Sequence, residues 1–286
     1  MNGDMAVSSD NSMAYGVYAG SMIGSGCNVQ LAMSGDMAVS SANGQAYGVY
    51  AGSNSGSGCN VQLAMNGDMA VSSDNSMAYG VYADKSGVVS GDAQNLTVNS
   101  ANGKAYGIDI SSNKVSTINI ADDLTVKGAA GGAGIEASGA AHQITVGGLT
   151  DVSIASNGDN AIYAADGANV NLNGGVSLDV TGITGDVSGI KANGGNVTVS
   201  GSKAIVKAST TGEYLTAYAI NNTGSGDISI NTGDAGVELT ASAENGEANA
   251  VSNSGTGKVT IATTGQVSFD VTGLTAKGLY YDGTAS

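Results

Sequence analysis

The side chains best suited to chemistry recur at fixed places along the chain. Tyr15, Tyr47, Tyr79 and Tyr106 share one position of a repeated segment, and Tyr18, Tyr50, Tyr82 and Tyr163 share another three residues on. Aromatic rings in file can brace neighbouring turns of chain, or they can form a strip that grips a glycan or a partner protein. The second position also holds Asp109, Glu136 and Lys191, which places it on the solvent side. Tyr18, Tyr50 and Tyr82 are therefore the candidate binding residues. Cys27 and Cys59 lie 32 residues apart at equivalent positions of the repeat. They can form a disulfide or pack as two small hydrophobic thiols. No C-x-x-C pair suggests redox catalysis.

Carboxylates repeat as well. Asp4, Asp36, Asp68, Asp123 and Asp151 stand before a short alternating run. Asp suits such a corner because its side chain bonds nearby backbone groups. Like charges in file repel, and a cation could relieve that, yet no calcium-type G-G-x-G-x-D repeat is present, so no metal is expected. Paired carboxylates for glycoside cleavage could nominally come from Asp122 and Asp123, or from Asp227. His142 is the lone histidine, has no nucleophile beside it in sequence, and is expected at the surface. Lyases of acidic sugars lean on Arg and Lys and sugar clefts favour Trp, whereas this chain has neither Arg nor Trp. No catalytic residue and no cofactor are assigned, and a polysaccharide-degrading enzyme is the weakest of the functional readings.

The elements that must position these residues come from an internal repeat. "DMAVSSDNSMAYGVYA" occupies residues 4–19 and 68–83, with a near-copy at 36–51. The small-aliphatic pair inside "AYGV" continues at Gly107-Ile108, Gly134-Ile135, Ala161-Ile162, Gly189-Ile190, Ala219-Ile220, Ala250-Val251 and Gly278-Leu279, giving ten occurrences 27 to 32 residues apart. Each unit holds three short runs in which Val, Ile or Leu alternates with Ser, Thr, Asn or Gln, as in "DLTV", "AYGI" and "KVTI". That period of two marks strands with one buried face, and Gly and Asn between the runs mark tight corners. The pattern predicts an all-β fold: a single-stranded parallel β-solenoid, a right-handed β-helix of about ten coils with three short strands each. Residues 1–286 form one domain, with three near-identical coils over 1–98 and diverged coils over 99–286. Met1 is followed at once by a full repeat, which suggests a fragment of a longer protein.

Composition excludes several roles. A net charge of −15 with only nine lysines speaks against nucleic acid and against anionic membranes. No apolar run reaches the ~20 residues of a spanning helix, and no basic stretch with an apolar core opens the chain. Outward positions mix Gln30, Gln62, Thr145, Asn171 and Ser229, which is not the flat threonine array of an ice-binding surface.

The recurrent "AYGI", "DLTV" and "KVTI" runs, set in Gly, Ser, Thr, Asn and Ala without proline, resemble the passenger regions of bacterial type V autotransporter adhesins. The resemblance covers essentially the whole chain and is one of pattern and composition. It implies export to the cell surface, an extracellular or outer-membrane-anchored location, and service as an adhesin or stalk that meets a host or neighbouring-cell glycan or protein. The alternative is a structural assembler, because a solenoid's open ends present unpaired strand edges that invite head-to-tail self-association into filaments.

Overall fold

The computed structural model describes residues 2–21, 26–53, 58–156 and 159–282. The described chain is all strand and turn, with every strand pairing parallel to its equivalent one repeat away. It is a β-solenoid, consistent with a right-handed β-helix. The first coil shows the pattern: strands Met5–Ser9, Ala14–Ser21 and Asn28–Met33. There are nine complete coils, and strand Val267–Tyr281 supplies the first two sides of a tenth. Ten rungs at about 4.8 Å make a rod roughly 45 Å long. In the last coils the first two strands run together as Ala204–Asn222, Val237–Asn253 and Val267–Tyr281, so the first and second faces join in one seventeen-stranded sheet. The third strands form a separate sheet of nine.

Alternation sorts each strand into an inner and an outer row. Val17, Val49, Val81, Ile108, Ile135, Ile162, Ile190 and Ile220 follow one another in register as an interior ladder, and all are buried. Val7, Val39, Val71, Val98, Val126 and Val152 form a second. Branched side chains with few rotamers suit such stacking, since each meets a near-copy of itself above and below.

The small member of each small-aliphatic pair has a steric cause. A Cβ on Gly48 would point inward and lie 2.6 Å from the Gly80 carbonyl oxygen and 2.9 Å from Val71 Cγ2. Gly48→Val is therefore expected to cost about 1–3 kcal/mol through overpacking, read as a lowered denaturant midpoint. An unchanged midpoint would show that the interior is looser than its ladders imply.

The two ends differ from the middle. Met5, Val7, Val29 and Leu31 are only partly buried at the upper end. At the lower end Val267, Phe269, Leu274, Leu279 and Tyr281 are exposed, Leu274 by 76% and Leu279 by 71%.

Candidate binding face

The second strand of each upper coil breaks its alternation at the glycine. Ala14 points in, Tyr15 out, and Gly16 and Val17 both face the core before Tyr18 turns out again. The two tyrosines therefore meet edge to face instead of standing two residues apart on one flat row, with Tyr15 and Tyr18 ring centroids 4.9 Å apart. Down the axis, Tyr15, Tyr47, Tyr79 and Tyr106 stack at 5.0, 4.8 and 4.9 Å with planes within 10° of parallel. Tyr18, Tyr50 and Tyr82 stack beside them at 5.0 and 5.4 Å. Seven rings thus interlock in two files.

This arrangement decides what the face can offer. Each inner ring has its flat sides against its neighbours, Tyr47 and Tyr79 are buried, and the Tyr18 and Tyr50 hydroxyls lie over Gly20 and Gly52 of their own strands. Tyr18, 53% exposed, has a stacked neighbour on one side only among the described residues. Tyr47 donates to Gln45 Oε1 at 2.8 Å, and Tyr15 and Tyr79 donate to the sulfurs of Met13 and Met77. Burial, with neighbouring phenols and acids behind it, pushes the Tyr47, Tyr79, Tyr82 and Tyr106 hydroxyls far above the usual range, and burial pushes Tyr50 up to about 12. All remain neutral hydrogen-bond donors at any physiological pH.

Below Tyr82 the outer file turns acidic. In register it continues through Asp109, Glu136, Tyr163 and Lys191. The position points outward as its composition implies, but it is not fully exposed: Asp109, Glu136 and Lys191 are all half-buried. Burial, then Glu136 and Asp84, pushes the Asp109 carboxyl up to about 7. Glu136 is raised by burial and by Asp159, with Lys104 opposing, and Asp84 is raised by burial. Lys104 sits 3.5 Å from Asp159, and Lys191 lies 5.8 Å over the Tyr163 ring. Sequence reading noticed Asp109 and Glu136 only as markers of exposure; their register directly beneath a tyrosine file was the signal that they shared its partly desolvated setting.

The other expected residues fall into structural places. Cys27 and Cys59 are joined in a disulfide with Cα atoms 4.5 Å apart. It ties the first coil to the second. Closing a loop of this length contributes about 3–4 kcal/mol, and solenoid stability is local. Reduction should therefore speed amide exchange in Met5–Ser9 and Ala14–Ser21 and leave Leu124–Gly128 and later strands unchanged. Uniform loosening of the whole rod would contradict that locality.

The corner carboxylates act through the backbone. Asp4 accepts from the Asp36 N–H at 3.0 Å, Asp36 from Asp68 at 2.9 Å, and Asp123 from Leu149 at 2.7 Å. Asp151 does not belong to this set: it pairs with Thr125 inside a strand, and Leu149 takes the corner. Asp122 accepts from the Gln94 amide and Asp227 from the Lys258 N–H, so both are engaged in coil-to-coil bonding. Expected at the surface, His142 is fully buried. Its Nδ1 accepts from the Ser116 N–H at 3.1 Å, leaving Nε2–H to donate to the Ser138 carbonyl at 2.9 Å. Burial lowers its pKa, so a neutral imidazole pins two corners together.

Among the described residues no three His, Cys, Asp or Glu side chains converge as a metal site requires, and no helix is long and apolar enough to cross a membrane. No protein family, curated protein or solved structure matches the chain.

Proposed function

We propose that the chain is a non-catalytic shaft segment of an autotransporter-like surface adhesin, holding a host or neighbouring-cell glycan or protein through its tyrosine face. The observation that carries this reading is the double file of seven interlocked rings, confined to the first four coils. Bracing alone would serve every coil equally, whereas this cluster ends where the outer file becomes acidic. Tyr and its edge-on hydroxyl are favoured in binding surfaces because they give area and a hydrogen bond at low entropy cost. An extracellular or bacterial-surface location is part of the proposal; the Cys27–Cys59 disulfide supports an oxidising compartment. The acid residues weighed for catalysis support a non-enzymatic role, being engaged in corner bonds. No cofactor, nucleic acid or membrane insertion enters this reading. The labelled chain should be retained on glycan arrays or on immobilised extracellular proteins. Retention on neither would leave a stalk without adhesion.

The exposed lower edge favours a second reading, head-to-tail self-association. Strand Val267–Tyr281 presents Phe269 and Leu279 where another coil could continue the ladders of Leu239 and Val251. Among the described residues the sheet of third strands ends one rung earlier, at Val259–Thr263. On this reading Leu279→Asp abolishes a concentration-dependent rise in mass measured by light scattering. A wild-type chain of constant mass would rule it out.

A further inference from the structure

We infer that the tyrosine face of the upper coils takes a lysine-rich segment of a partner protein, its ammonium groups seated on the outer tyrosine file and against Asp84, Asp109 and Glu136. The inference rests on the tyrosine-face reading and narrows its partner to a cationic polypeptide. The outer file is one register column. It runs from Tyr18 through Tyr82, Asp109 and Glu136 to Tyr163 and Lys191, and on to Tyr280 in the last coil. In the lower coils the chain seats its own lysines on this column. Lys191 lies 5.8 Å over the Tyr163 ring, and Lys277 lies 4.2 Å over the Tyr280 ring. At such distances the electron-rich face of a phenol ring attracts an ammonium group. Glu247 completes the lower pair, 2.9 Å from Lys277 Nζ. Ring, ammonium and carboxylate therefore already meet on this face.

The upper coils repeat the ring and the carboxylate without the lysine. Tyr82 is stacked on one side only among the described residues, and Asp109 follows it in register on the next rung. Strand alternation puts Asp84, two residues after Tyr82, on the same outward side. Asp84 Oδ1 is buried and has no hydrogen-bond partner in the protein. Glu136 and Asp84 both act on the Asp109 carboxyl, so three half-buried carboxylates crowd one patch. None of the three forms an ion pair among the described residues. The nearby lysines act on them by charge alone, Lys85 on Asp84 and Lys104 on Glu136, and Lys104 sits 3.5 Å from Asp159. Half-buried charges are screened less than open ones and stay unfavourable until a cation answers them. The first 84 residues hold six aspartates and neither lysine nor arginine, so no basic side chain of theirs repels a cationic segment. An extended segment, with same-side lysines roughly 7 Å apart, can reach both the acid patch and the tyrosines above it.

The test is fluorescence anisotropy of labelled hexalysine titrated with the whole chain at near-physiological ionic strength. Binding should saturate. Asp84→Asn, Asp109→Asn and Glu136→Gln combined should weaken it about tenfold or more. Asp179→Asn, Glu213→Gln and Asp270→Asn combined remove the same charge from exposed positions elsewhere, and should change it less than about twofold. Tyr82→Leu should weaken it about fivefold by removing the ring. Thermal melts check that each variant folds; should the acid triple not fold, Asp109→Asn decides, with a loss of about threefold. No saturable binding, equal weakening by the two triple variants, or spermine binding as tightly as the peptide would overturn the inference. Retention of the wild type on a glycan array without any binding of hexalysine would overturn it too, and would leave the tyrosine-face reading standing.

Discussion

Asp109→Asn should make the rod more stable at pH 8 and no more stable at pH 4. The wild-type carboxyl is pushed up to about 7 by burial, Glu136 and Asp84. Its folded pKa therefore lies above the ordinary carboxylate value, so the folded state holds the proton more tightly than the unfolded chain. Above pH 7 the charge is carried in the folded state at full cost. As pH falls from about 7 toward 4 the cost disappears and stability rises. A shift of this size corresponds to roughly 4 kcal/mol. Asp109 is only half-buried, and solvent screening reduces the effect to about 1–2 kcal/mol. His142 acts in the opposite sense. Its folded pKa is lowered, so it contributes stability above the unfolded value near 6.5 and withdraws it as the pH falls. The wild-type profile is a sum of the two. The difference between wild type and Asp109→Asn isolates the carboxylate, because His142 is common to both. Denaturant titrations at pH 8, 6 and 4 would show a gap that closes on acidification. A gap independent of pH would mean that Asp109 is solvated like an ordinary surface acid.

That a strained carboxylate sits under a tyrosine file was only half legible in the sequence. The ten small-aliphatic pairs were enough to place Val17 through Ile220 in one interior ladder, since inward side chains must stack on like side chains in a solenoid. They were enough, too, to align Tyr82 with Asp109 and Glu136. What spacing could not give was the environment of each position. Asp109 follows Tyr82 in register and is partly desolvated there, a consequence of packing that no count of residues contains.

The errors have definite causes. Asp151 was aligned with Asp123 by the likeness of "DVSI" to "DLTV", but the strand is paired two residues away, with Val152 on Val126. A slip of one residue would bury the polar row and is easily excluded. A slip of two returns every side chain to the same face, so alternation cannot detect it. His142 was placed outside because lone histidines are commonly polar surface residues. Here its ring satisfies an N–H of Ser116 and a carbonyl of Ser138 that the corner would otherwise bury unpaired. Backbone groups orphaned at a corner are invisible until the corner is built.

Replacing Tyr18, Tyr50 and Tyr82 together by Phe should leave the rod as stable as before and weaken binding of its surface partner on the order of a hundredfold. Phenylalanine is the informative substitution because of the way the rings are used. Serine would remove the stacked contacts of the outer file, at 5.0 and 5.4 Å, and its edge-on contacts with Tyr15, Tyr47 and Tyr79. Such pairs contribute about 0.5–1.5 kcal/mol each, so lost binding by a serine variant could reflect a loosened coil. With phenylalanine the files stay stacked and only the hydroxyls go. A ligand lying along the outer file meets ring edges and hydroxyls more than ring faces at Tyr50, which has a stacked tyrosine on both sides. Three lost hydrogen bonds at about 1 kcal/mol each give the hundredfold figure. Tyr18 and Tyr82 each have a stacked ring on one side only among the described residues, Tyr18 is the more exposed, and Tyr18→Ala should by itself cost about tenfold if a sugar or apolar side chain covers that ring. The measurement is retention on whichever array spot or immobilised protein captures the wild type, with thermal melts run alongside. Matching melts with binding lost would assign the contact to the hydroxyl edges. Equal binding by wild type, the triple phenylalanine variant and Tyr18→Ala would mean that the double file braces the first four coils and nothing more, and that adhesion, where it occurs, belongs to another face of the rod.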